Sequence, residues 1–243
     1  MTTPVIGFRR NIYLEWLEFA ATLVCLGEPP EVIRARLDEL VGEKIPSAPN
    51  RRMAIDQLMN IWVRTSNGSV PLHSRATELF TTLSARTDHV ALHYGLTLLA
   101  YPFFRQACAL IGETLRFGDP IRTATLQQRL PGQMGNLGAL HDACKRVIFS
   151  LREWGLLVET VARYAHVATN PPLQPSTPEL AAWLVAAALQ ARQAQALPLD
   201  DLLRLPELFA FQLTLTPAQA RASDLVELHT SGDGRLMVSR RRR

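Results

Sequence analysis

Two histidines, His89 and His93, have the spacing of two zinc ligands on one face of a helix. The intervening sequence, HVALH, lacks the glutamate of a zinc-peptidase helix, and no third ligand is evident. We therefore expect a buried or half-exposed pair of histidines and no metal site. The sequence also contains no phosphate-binding GxxxxGKS or GxxxxGKT and no nucleophile-bearing GxSxG. These patterns predict no catalytic residue, no cofactor and no small-molecule substrate.

A second group of side chains has the chemistry to bind nucleic acid, because it supplies hydrogen-bond donors for phosphates and guanine edges. Residues 103–168 contain 8 basic and 5 acidic residues, net +3, whereas residues 169–239 contain 4 basic and 7 acidic, net −3. The candidate DNA contacts in this basic middle are Arg122, Arg129, Asn136, His141, Lys145, Arg146, Arg152 and Arg163. This charge asymmetry favours an anionic partner for the middle of the chain.

The elements that position these side chains are predicted from apolar spacing and from turn residues. The pattern predicts three helices and then two short strands, over residues 103–117, 121–130, 136–154, 156–159 and 164–168. Asp119-Pro120 is a typical start for the short second helix. The order is that of a winged helix-turn-helix, whose third helix enters the major groove of DNA.

The long third helix has a clear division between its two faces. Leu140, Cys144, Val147 and Leu151 form an apolar stripe that we expect to turn inward. The opposite face then presents the four residues His141, Lys145, Arg146 and Arg152. Arg122 and Arg129 belong to the preceding helix, Arg163 belongs to the wing tip, and Asn136 caps the long helix.

Two functional interpretations of this segment remain open. The first is a DNA-binding protein that displaces counterions from phosphates. The alternative is a protein–protein interaction scaffold whose winged helix docks onto a partner subunit, since winged helices also mediate protein contacts. An enzyme has no constellation of residues to support it.

The sequence as a whole predicts a mainly α fold in three parts. Residues 1–100 read as an N-terminal helical bundle, residues 101–169 as the central winged helix-turn-helix, and residues 170–243 as C-terminal helices with a small β-hairpin. The proline-rich segment 170–178 predicts a linker or surface loop. In the last part, alternation predicts a strand over 209–216, and a turn at 231–234 predicts a hairpin. We expect the tail, Arg240–Arg243, to be disordered without a ligand.

Cysteine usage and hydropathy predict a cytoplasmic protein without a membrane partner. Cys25, Cys108 and Cys144 are odd in number and far apart, so we expect free thiols in a reducing compartment. The start of the chain superficially resembles a signal peptide, but Glu15 and Glu18 interrupt its apolar stretch. No run approaches the roughly 18 apolar residues of a membrane span.

Four phrases of the sequence carry a resemblance to a known family. They are RRNIYLEWLEFAATLVCLGEPPEVIRARL, LAYPFFRQACALIGETLRFGD, GALHDACKRVIFSLREWGLL and LPLDDLLRLPELFAFQLTL. In layout and in these phrases, the chain resembles the BrxA-like accessory proteins of bacterial BREX phage-defence systems over most of its length. The resemblance implies a compact helical protein that binds duplex DNA with little sequence preference and serves a defence complex of several subunits. It implies no catalytic residue.

Overall fold

The computed structural model describes residues 7–64, 70–130 and 137–241. Its first part consists of the helices α1 Leu14–Cys25, α2 Pro30–Lys44, α3 Ala48–Trp62, α4 Val70–Thr82 and α5 Arg86–Ala100. Its middle part consists of α6 Pro102–Arg116, α7 Thr123–Arg129, α8 Leu137–Glu153, β1 Leu157–Glu159 and β2 His166–Ala168. Its last part consists of α9 Pro178–Ala191, β3 Ala196–Pro198, α10 Leu199–Leu202, a 3₁₀ turn Pro206–Leu208, α11 Pro217–Ala222, β4 Val226–Thr230 and β5 Leu236–Arg240. The protein is therefore mainly helical, with a small antiparallel sheet near its C-terminus, as the sequence predicts.

Two helices, α5 and α9, form the centre of the molecule, because their side chains are buried on nearly every face. They approach closely at Gly95, where a Cβ atom would lie 2.5 Å from a ring atom of Trp183. The surrounding helices and the middle part share one continuous cluster of buried apolar side chains with this pair. The division into three domains stays a prediction.

The middle part contains one strand pairing that the sequence analysis missed. Ile121 pairs with His166 of β2 through two backbone hydrogen bonds of 2.8 and 2.9 Å. Because this pairing holds Ile121 in an extended conformation, α7 begins at Thr123, and the predicted helix start at Asp119-Pro120 is wrong. The predicted hairpin is confirmed, and Val158 and Val167 lie directly opposite each other in it.

The C-terminal part differs from the prediction at the segment 209–216, at β3 and at α11, a helix that was not predicted. The segment 209–216 is not a strand: its only pairing is an isolated bridge between Phe211 and Leu173. The strand β3 was not predicted, and it makes the C-terminal hairpin a three-stranded sheet in the order β3-β5-β4. Arg240 is the last residue of β5 and Arg241 lies 3.6 Å from Glu227, so the predicted disorder is wrong for these two residues. Arg242 and Arg243 lie outside the described residues.

A segment without helix or strand at the start of the structure, residues 7–13, connects the bundle to α8; we call it the strap. The backbone N–H of Ile12 donates to Ser150 Oγ (3.1 Å), and the carbonyl of Ile12 accepts from Trp154 Nε1 (3.0 Å). On the bundle side, the backbone N–H of Arg9 donates to Gln57 Oε1 (2.8 Å). Phe8 and Ile12 are fully buried, so the strap is part of the core.

A buried ion pair fastens the C-terminal part to the centre. Glu207, which is fully buried in the 3₁₀ turn, accepts two hydrogen bonds from the guanidinium of Arg192, one of them 2.6 Å long. The hydroxyl of Tyr94 donates to the backbone carbonyl of the same Glu207. The turn also presses against α6 at Gly112, where a Cβ would lie 1.9 Å from the carbonyl oxygen of Pro206. Only glycine fits at that position.

Within the described residues, no helix is both long enough and apolar enough to cross a membrane.

Candidate nucleic-acid interface

Helix α8 has the predicted division between a buried and an exposed face. Leu140, Cys144, Val147 and Leu151 are buried to within 1% of their surface. The predicted contacts His141, Lys145 and Arg152 are exposed. These three lie within an arc of about 40°, because successive residues of an α-helix turn by about 100°. The helix therefore presents a narrow row of two cations and one imidazole to solvent, next to the exposed carboxylates of Asp142 and Glu153.

Arg146 differs from the other cations of α8, because it lies at the edge of the exposed face. Its side chain is 23% exposed, against 67% for Lys145. Burial lowers the pKa of its guanidinium, the carboxylate of Asp142 opposes that effect, and the positive charge of Arg10 adds to it. Arg146 lies one helical turn before Ser150, the residue of α8 that accepts the backbone N–H of Ile12 near the start of the chain.

The carboxylate of Asp142 lies among these cations, and it was not included in the predicted site. Its oxygens lie 3.8 Å from Lys145 Nζ and 3.5 Å from Arg146 Nη2. Asp142 precedes these cations by three and four residues, so a helical reading of the sequence contained the signal. Part of the positive charge of α8 is thus already compensated within the helix.

The hairpin is tied to the end of α8 by an ion pair. Arg152 Nη2 lies 3.2 Å from Glu159 Oε2. The other carboxylate oxygen, Oε1, accepts the backbone N–H of Tyr164 at 2.9 Å. This hydrogen bond, and secondly the charge of Arg152, lowers the pKa of Glu159 although slight desolvation opposes them. Arg152 is therefore exposed and also ion-paired with Glu159, and this ion pair orients the hairpin relative to α8.

The other predicted contacts are distributed around α7 and the hairpin tip. Arg122 is exposed immediately before α7, and Arg129 in its last turn donates to Thr114 Oγ1 at 3.4 Å. Arg163 is exposed in the hairpin turn, with its guanidinium 4.8 Å from the ring centroid of Tyr164.

The side chain of Gln127 in α7 donates a hydrogen bond to the backbone carbonyl of His141 (3.2 Å), which fixes α7 against the start of α8. Asn136 lies outside the described residues.

The hairpin has two unequal faces. Val158 and Val167 are exposed on the outer face, and Val161 and Tyr164 are exposed in the turn. On the inner face, His166 is only 3% exposed, and neither ring nitrogen has a hydrogen-bond partner within the protein. Burial, and then the charge of Arg152, lowers the pKa of this imidazole. The hairpin thus combines an apolar outer surface with a neutral buried histidine.

The histidine pair of the bundle forms a separate cluster with a glutamate of α1. Glu18 lies 3.0 Å from His89 Nδ1 and 3.2 Å from His93 Nε2. Trp62 Nε1 donates to His93 Nδ1 at 3.0 Å, so that nitrogen is occupied as an acceptor. His93 is buried and His89 half-buried, as predicted. Among the described residues, no group of three His, Cys, Asp or Glu side chains is placed to hold a metal ion.

No family model matches the chain, and neither a curated protein nor a solved structure similar to it was found.

Proposed function

We propose that residues 101–169 form a winged helix-turn-helix and that the protein is a non-catalytic accessory protein that binds duplex DNA. The element order supports the fold, and so does the pairing of Ile121 with His166, since winged helices pair a short strand before the second helix with the wing. In this proposal, α8 enters the major groove. His141 then lies near the end of α8 that approaches the base edges, and Asn136 stays a contact predicted from the sequence alone.

The observation that carries the DNA proposal is the row of exposed basic side chains on α8. Lys145 and Arg152 are exposed on one side of α8, and Arg122 and Arg163 are exposed on the flanking elements. Each phosphate contact of this kind releases counterions from the duplex, so binding weakens as salt increases. The binding would be mainly electrostatic, with little dependence on base sequence.

The test is a fluorescence-anisotropy titration of a random duplex at several salt concentrations. Lys145→Ala/Arg146→Ala removes two contacts. The slope of the plot of log K, the logarithm of the association constant, against log salt concentration should therefore become less steep by up to about 1.8, since each contact contributes about 0.9. Arg36→Gln/Arg221→Gln is the matched control, because it removes two exposed charges from α2 and α11. Equal slopes for the two double variants would exclude α8 as the contacting element.

Stability controls separate lost contacts from lost folding. Surface substitutions such as those of Lys145 usually change the free energy of unfolding by less than about 0.5 kcal/mol. Leu140→Ala leaves a cavity in the core and should cost about 2–5 kcal/mol. This second variant should weaken DNA binding only to the extent that it unfolds the protein.

The hairpin favours a second candidate function, a scaffold that docks onto a partner subunit. Its outer face is apolar at Val158, Val167, Val161 and Tyr164, and clusters of exposed apolar side chains are typical of protein contacts. A parent protein that binds no duplex even at about 50 mM salt would give this alternative the lead. Val158→Thr/Val167→Thr should then abolish assembly with the partner and leave folding intact.

We also propose that the biological setting is a bacterial phage-defence system with BrxA-like accessory proteins, in the cytoplasm. The four phrases that resemble this family support the setting, and the three free thiols fit a reducing compartment. A plaque assay tests it: deletion of the gene from a protected host should restore plaques. Complementation with Lys145→Ala/Arg146→Ala should protect less well than complementation with the parent gene.

A further inference from the structure

We propose that the strap is a second contact for the DNA backbone, with Arg9 and Arg10 extending the basic row of α8 onto the bundle. This inference rests on the proposed DNA binding and adds an element that lies outside the winged helix. The substrate class is the phosphate backbone of a duplex that crosses from α8 towards α3.

The strap is held firmly enough to present its side chains in one arrangement. Ile12 is fastened to α8 through both its N–H and its carbonyl, and Arg9 is fastened to α3 through its N–H. Arg10 lies between these two points, and its guanidinium donates to the Asn50 side chain and to the Arg9 carbonyl (2.8 Å). A cation that is already oriented loses less entropy when it binds a phosphate.

The charges around the strap are incompletely compensated. Burial lowers the pKa of the Arg146 guanidinium, and the positive charge of Arg10 adds to that effect while Asp142 opposes it. The hydrogen bonds of Arg10 go to neutral oxygens, and Asp142 is the carboxylate paired with both Lys145 and Arg146. In the described part of the chain, no carboxylate forms an ion pair with Arg9 or Arg10. Arg10, Lys145 and Arg146 therefore have more positive charge than Asp142 alone compensates.

An extended polyanion fits this arrangement better than a single small anion does. The cations come from two elements, the strap and α8, which are joined at Ile12 by two hydrogen bonds. A guanidinium fork can bind two oxygens of one phosphate, and successive phosphates of a duplex strand can meet successive cations. The strap would add affinity and no base specificity, because it offers only backbone contacts.

Arg9→Gln/Arg10→Gln tests the inference in the same salt titration. The strap keeps its anchors at Arg9 and Ile12, because these are hydrogen bonds of the backbone and do not involve the substituted side chains. We expect the slope of log K against log salt to fall by about 1.8 relative to the parent, for two lost contacts. Arg10→Lys should keep most of the slope, because phosphate also accepts an ammonium. Arg36→Gln/Arg221→Gln again controls for net charge.

The outcomes separate this inference from the proposed function. If Lys145→Ala/Arg146→Ala flattens the slope and the strap variant behaves like its control, the strap inference is wrong and the winged helix stands. If only the strap variant flattens it, the winged-helix contact is wrong and the strap stands. A parent without salt-dependent binding overturns both. If the strap double variant unfolds, Arg9→Gln alone decides the matter, because the Arg9 side chain is exposed and its anchor is the backbone N–H.

Discussion

At the scale of single residues, Asp142 determines how much of the positive charge of α8 is free. His141, Lys145 and Arg152 are exposed as predicted, because the apolar stripe of α8 determines which residues face solvent. Arg146, predicted on the same face, is only partly exposed, and neither Asp142 nor Arg10 was among the predicted site residues. The spacing of Asp142 to Lys145 along the helix would have predicted their ion pair. Arg10 is far from Arg146 in sequence, and only the fold of the strap brings their charges close enough to interact.

Asp142→Asn should strengthen duplex binding if α8 contacts DNA. The change removes a negative charge that faces Lys145 and Arg146 and repels phosphates. Exposed ion pairs contribute at most about 1 kcal/mol, so the protein should remain folded. Anisotropy at one low salt concentration measures the effect. Glu39→Gln, an exposed carboxylate on α2, is the matched control, and an equal gain in both variants would contradict a local role for Asp142.

His93 should make the protein less stable in mild acid. Burial lowers the pKa of His93, although Glu18 opposes this effect. A folded-state pKa below the unfolded value of about 6.5 means that the unfolded chain binds the proton first. The stability from the neutral ring is therefore fully present above about pH 6.5 and is lost as the pH falls through the folded pKa.

The measurement for His93 is urea denaturation at pH 7 and at pH 5. The parent should lose more of its free energy of unfolding between these two pH values than His93→Gln does. Glutamine can accept from Trp62 and donate towards Glu18, but it does not titrate. Equal losses in the two proteins would show that His93 is not the group responsible.

At the scale of elements, both hairpins and every α-helix except α11 could be predicted, though not every helix boundary, because their signals are local. The segment 209–216 shows why a local signal can fail. Phe211, Leu213 and Leu215 are buried and the residues between them are exposed, so the alternation was read correctly. A strand also needs a neighbouring chain, and only Leu173 supplies one, through two backbone hydrogen bonds.

Gly112→Ala should destabilise the contact between α6 and the 3₁₀ turn. The added Cβ would lie 1.9 Å from the Pro206 carbonyl oxygen, and backbone cannot move aside cheaply. Overpacking of this kind typically costs about 1–3 kcal/mol. Gly42→Ala is the control, because its Cβ meets only the Arg51 side chain, at 3.6 Å, and alanine favours a helix by about 0.5–1 kcal/mol. Urea midpoints should therefore shift in opposite directions.

At the scale of the whole molecule, the three thiols report on the integrity of the core. Cys108 and Cys144 are fully buried, and Cys25 is partly exposed. Burial raises the pKa of all three thiols, in the case of Cys144 to about 12, so the reactive thiolate is scarce even where it is accessible.

A thiol titration of the unreduced protein should therefore show two stages. In the native protein, Cys25 alone should react slowly, and in urea all three thiols should react. Cys25→Ser should remove the native reaction and leave two thiols in urea. Recovery of a single thiol in urea would reveal a disulfide and remove the argument for a reducing compartment.

The attachment of Ile12 to α8 has a consequence for hydrogen exchange. An amide outside helices and sheets usually exchanges with deuterium quickly, because small local openings expose it. The amide of Ile12 is buried and bonded to Ser150, a residue 138 positions away in sequence. Its release requires the strap to leave α8, which also uncovers Phe8. This amide of an irregular segment should therefore exchange on the timescale of the core helices.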